Sequence, residues 1–63
     1  MEILLEAFSY YKIEVLTIDG NTVRVQHGYE VEVESNGMYK LKSDGYIVAP
    51  FADLNDLCRF ILS

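Results

Sequence analysis

The sequence predicts an α+β domain: an antiparallel β-meander of four to five strands with a C-terminal helix and a short N-terminal helix. Three observations carry this reading. Residues 23–33 alternate between apolar and polar side chains. The phrase Ser35-Asn36-Gly37 returns as Ser43-Asp44-Gly45 between alternating segments. Beyond Pro50 the apolar residues change to helical spacing. Alternation marks a half-buried strand, and spacing of three and four marks an amphipathic helix.

At the N-terminus, Ile3, Leu4, Ala7, Phe8 and Tyr11 form a helical stripe among good helix formers. Apolar odd positions also continue through Ile3, Leu5, Ala7, Tyr11 and Ile13, so the segment could instead extend the first strand. The reading favours the helix. Next, a loop of Asp19-Gly20-Asn21 pairs Val15 with Val25 and Thr17 with Val23. Over 23–33 the odd positions are Val23, Val25, His27, Tyr29, Val31 and Val33, and no even position is apolar. This reads as one long strand, with a bulge or sharp bend at Gly28.

A three-residue loop at Ser35-Asn36-Gly37, with Gly37 left-handed, sets Val33 against Tyr39 and Val31 against Leu41. The same register opposes Glu32 to Lys40 and Glu30 to Lys42, favourable cross-strand charge pairs. A two-residue Asn36-Gly37 loop would mix the faces. By analogy, a Ser43-Asp44-Gly45 loop sets Leu41 against Ile47 and Tyr39 against Ala49. Finally, Asp53 is a natural N-cap for a helix whose stripe is Leu54, Leu57, Cys58 and Ile61, and Asp56 sits in its first turn. The alternative architecture is a small, strongly bent barrel-like sheet with Gly28 at its corner.

Sixty-three residues allow one domain, 1–63. A chain of this size buries only about 60% of its unfolded surface. Its hydrophobic fraction is nonetheless 51%, so apolar side chains are expected on the surface, where a patch of them marks association. Five Lys and Arg against ten Asp and Glu give a net charge of −5. That balance argues against a nucleic-acid backbone or an anionic membrane as partner. The single cysteine, Cys58, has no intramolecular partner, which favours the reducing cytoplasm. Glu2 and Glu6 interrupt the first apolar run, so no signal peptide is expected. No stretch approaches the roughly 20 apolar residues of a membrane span.

Chemistry is sparse. His27 and Cys58 both fall on the inward side of their elements, where Cys58 behaves as a small hydrophobe and His27 is expected to be partly buried and hydrogen-bonded. One His and one Cys fall short of a zinc site. The glycines serve turns and the bend, and none opens a helix as a phosphate loop would. The interleaved tyrosines and lysines of 38–46 suggest a nucleic-acid sheet only weakly, because the lysines have glutamate partners and Tyr39 faces the core. No catalytic residue, cofactor or metal is expected.

What remains is surface. In the register above, the even face carries Arg24, Gln26, Glu30, Glu32, Lys40 and Lys42, flanked by Leu16 and Ile18 on one side and Met38, Tyr46 and Val48 on the other. These five apolar residues are the candidate protein interface. The segment Tyr46-Ile47-Val48-Ala49 is apolar on both faces; either the N-terminal helix covers it or it is an edge that recruits a partner strand. The expected function is a small acidic, non-enzymatic protein-interaction module, as a homodimer or as an accessory subunit of a larger complex. The alternative is an acidic inhibitor that mimics nucleic acid in a basic groove.

Overall fold

A computed structural model describes residues 1–63. The element order is α1 (Glu2–Tyr10), β1 (Val15–Asp19), β2 (Thr22–Val25), a 3₁₀ turn (Gln26–Gly28), β3 (Tyr29–Val33), β4 (Tyr39–Ser43), β5 (Tyr46–Phe51) and α2 (Leu54–Leu62). The five strands form one antiparallel sheet in sequence order, with β1 and β5 at its edges. The sheet is an open meander and does not close into a barrel.

Helix α1 forms where the helical stripe predicts it, and Leu4 and Phe8 are its buried residues. It ends in a Schellman motif. The Lys12 N–H donates to the Ser9 carbonyl (3.1 Å), the Ile13 N–H donates to the Phe8 carbonyl (2.8 Å), and Lys12 takes the left-handed position with φ 59°. Phe8 and Ile13, the apolar pair that accompanies this motif, are both buried. At the other end of the chain, the Asp53 carboxylate accepts the Asn55 N–H at 2.7 Å and caps α2. Leu57, Cys58 and Ile61 are buried beneath it.

Residues 23–33 are two strands and not one. β2 and β3 fold onto each other, with Val23 opposite Val31 and Arg24 opposite Glu30. His27 (φ 66°) and Gly28 (φ 77°) are both left-handed in the turn between them. The expected bend at Gly28 is therefore a full reversal. Because three residues separate the strands, odd positions face odd positions on both sides of the turn. The alternation passes through the hairpin unchanged and looks like one continuous strand.

The Ser35-Asn36-Gly37 loop is as expected. Val33 faces Tyr39, Val31 faces Leu41, and Gly37 is left-handed at φ 85°. The other two loops are shorter than expected. Asp19 pairs with Thr22 around Gly20-Asn21, and Ser43 pairs with Tyr46 around Asp44-Gly45. Gly20 alone is left-handed in the first, which is the II′ pattern. Asp44 and Gly45 both are in the second, which is the I′ pattern. A two-residue loop reverses the expected parity next to the turn: Ile18 faces Val23, and Lys42 faces Ile47. The ladder then slips by one residue, at Leu16 in β1 and at Val48 in β5, which restores Val15 opposite Val25 and sets Leu41 opposite Ala49. The expected pairs Thr17–Val23, Leu41–Ile47 and Tyr39–Ala49 do not form; Thr17 faces Arg24 and Tyr39 faces Phe51.

Both helices lie on the face of Val23, Val25, Val31 and Leu41. Together with Leu4, Phe8, Ile13, Leu57, Cys58 and Ile61, these valines and Leu41 make one buried cluster with no polar side chain in it. The Tyr11 hydroxyl donates to Asn55 Oδ1 at 2.8 Å, tying the end of α1 to α2.

Candidate interaction surface

The outer face of the sheet, opposite the helices, is lined by charges in pairs. Arg24 Nε lies 3.8 Å from Glu30 Oε1, Lys42 Nζ lies 2.7 Å from Glu32 Oε1, and Lys40 Nζ lies 3.2 Å from Glu34 Oε2. The backbone register is the expected one, but the ion pairs run to the diagonal neighbour. Lys42 reaches past Glu30 to Glu32, and Lys40 reaches past Glu32 to Glu34. Strand twist brings one diagonal set of side chains within reach of long lysines. The hydrogen bond from Lys42 holds the Glu32 carboxyl below its ordinary value, and the same bond raises the Lys42 ammonium.

The edges are apolar. β5 is hydrogen-bonded only to β4, and its residues Tyr46, Ile47 and Val48 are 78%, 62% and 41% exposed. Helix α1 does not cover them. Sequence parity placed Tyr46 and Val48 on the outer face. Instead Tyr46 shares the helix-bearing side with Ser43, Val48 is the slipped residue, and Ile47 takes the outer face opposite Lys42. Parity alone sets Ile47 opposite Leu41 in the core, whereas the structure exposes it. The signal that identifies it is Asp44-Gly45 itself, the strongest short-range mark of a two-residue turn.

At the opposite edge, Leu16 and Ile18 are also exposed, but Ile18 stands on the helix-bearing side, opposite Val23, rather than on the outer face. Met38 keeps its expected outer position beside Glu34 and is half-buried. The expected surface residues keep to two opposite margins of the sheet. Leu16 and Ile18 lie on β1; Tyr46 and Val48 lie on β5 at the far edge, where Ile47 joins them.

His27 and Cys58 make no constellation. His27 is exposed on the β2–β3 turn and not inward as expected, while Cys58 is fully buried and burial pushes its thiol up. The surface has no pocket, and no group of three or more His, Cys, Asp and Glu stands together as a metal site. No helix is long and apolar enough to cross a membrane. Comparison with protein-family models, curated proteins and solved structures finds no match.

Proposed function

We propose that this chain is a small, acidic protein-interaction module of the cytoplasm, acting as a homodimer or as an accessory subunit of a larger complex, with β5 as its contact element. The observation that carries the proposal is the run Tyr46-Ile47-Val48, exposed on a strand that has one neighbour instead of two. Fully burying an exposed apolar side chain is worth about 1.5–3 kcal/mol, of which these partly exposed residues retain a share to gain, and an edge strand presents backbone groups that an added strand can bond. Tyrosine is also among the residues that anchor interfaces. The proposal contains no catalytic step, nucleic acid or membrane.

The acidic-mimic reading has less support. It asks for a row of uncompensated carboxylates, whereas Glu30, Glu32 and Glu34 on the outer face are each paired with a cation.

The test is Ile47→Lys combined with Val48→Lys, followed by circular dichroism, sedimentation and affinity capture from the native cell. The proposal expects a folded variant that has lost either wild-type self-association or a wild-type partner. A variant that unfolds would place these residues in the core and contradict the proposal. So would a folded variant with unchanged sedimentation and unchanged bound proteins.

A further inference from the structure

Resting on β5 as the contact element, we infer that its partner is an extended apolar segment with basic residues at both ends, and not a second copy of this chain. From Tyr46 through Phe51, β5 has no charged residue. A carboxylate stands at each end: Asp44 in the turn before it, and Asp53 two residues after it at the cap of α2. Both are exposed, and neither makes a direct ion pair, in contrast to the outer-face glutamates; the Asp53 carboxylate accepts only the Asn55 N–H and lies within the electrostatic influence of Arg59.

This charge pattern discriminates between occupants. A strand added beside β5 places its two ends near Asp44 and Asp53, where Lys or Arg is attracted and Asp or Glu is repelled. A second copy is the second case. Two-fold antiparallel pairing of β5 with itself over its full length, centred between Val48 and Ala49, sets Asp44 of one copy beside Asp53 of the other, at both ends. Parallel pairing sets like residue beside like. In both, the pairing segment 44–53 itself brings no Lys or Arg to either end. The backbone adds a further constraint. Pro50 offers no N–H, and the slip at Val48 breaks the regular ladder within Tyr46–Ala49, so an added strand finds few main-chain rungs along β5. With few rungs, the end charges weigh more in the choice of partner.

The test uses the intact chain and three labelled synthetic peptides that share an alternating Val/Thr centre and carry lysine, serine or glutamate pairs at both ends. Fluorescence anisotropy measures each against wild type, against Ile47→Lys, and against Asp44→Asn combined with Asp53→Asn. Asparagine tolerates the left-handed turn position and remains a good N-cap, so the double variant keeps its fold. The inference expects wild type to bind the lysine-ended peptide about tenfold or more tightly than the glutamate-ended one, as two exposed ion pairs exchanged for two repulsions allow. That preference shrinks to about twofold or less in the asparagine variant and weakens in salt. Equal binding of the two peptides, or a preference that survives the asparagine variant, overturns the inference. Absence of binding by every peptide overturns it as well. If wild type then sediments as a dimer that Ile47→Lys dissociates, β5 remains the contact element and the occupant is a second copy. Peptide binding unaffected by Ile47→Lys overturns the inference together with the β5 reading beneath it.

Discussion

Ile47 stands directly opposite Lys42, on the sheet face that the helices leave bare. One step away, Val31 and Leu41 face each other beneath the helices, both fully buried. Neighbouring positions on one sheet therefore have opposite environments, and substitutions at them should separate cleanly.

Val31→Lys puts an unpaired charge into a small apolar core and should unfold a domain whose stability is marginal. Glu32→Gln removes one half-buried ion pair and should lower the melting temperature only slightly, far short of unfolding. Thermal melts of the two variants check this. Comparable destabilisation would mean that the register across β3 and β4 is wrong.

The αL residue that closes α1 is a lysine where glycine is the usual choice. Lys12→Gly should raise stability by about 0.5–1 kcal/mol, because a side chain at φ 59° carries a steric cost that glycine avoids. For a domain of this size that is a gain of several degrees in a thermal melt. A lower melting temperature would show that the Lys12 side chain contributes more than its backbone strain costs.

The Lys42–Glu32 pair has a defined pH signature. The folded-state carboxyl of Glu32 is depressed, so its contribution is present above the ordinary carboxylate range and is lost as pH falls through the folded value. Lys42 is raised, so its contribution is present below the ordinary lysine value and is lost as pH rises through the folded one. Denaturant midpoints across pH should therefore show an acid-side and an alkaline-side loss for wild type. Both losses should be smaller in Lys42→Met, which removes the Lys42 titration and the largest cause of the Glu32 shift.

Cys58 is fully buried, and burial disfavours its thiolate. A thiol reagent at neutral pH should label the native protein slowly and the denatured protein fast. Cys58→Ala should lower stability through the small cavity it leaves. Fast labelling without denaturant would contradict the packing of α2 on the sheet.

The legible parts of this fold are those where two independent signals coincide. At Ser35-Asn36-Gly37, hydrophobic pattern and charge pattern select the same loop, and the register between β3 and β4 follows. At α2, the Asp53 cap and the Leu54–Ile61 stripe agree. Where one signal stood alone, it misled. Alternation cannot distinguish a strand from a hairpin with a three-residue loop, so the turn at His27-Gly28 was hidden. It also cannot register a slip, so alternation alone makes the two-residue turns at Gly20-Asn21 and Asp44-Gly45 look like three-residue loops. The slips at Leu16 and Val48 keep the inner pairs apolar, and parity alone shows no sign of them. The candidate surface suffered most, because it lies on the edge strands beside those turns. Tyr46 and Ile18 changed faces, and Ile47 emerged.

The most direct measurement of the central claim, that β5 is the contact element, is site-specific photo-crosslinking in the native cell. A photoreactive amino acid is placed in turn at Ile47, at Glu30 on the outer face and at Tyr10 on α1, all of which tolerate it without disturbing the core. The account predicts a discrete crosslinked protein adduct from position 47, absent or much weaker from positions 30 and 10. Adducts from position 30 or 10 with none from position 47 would contradict it.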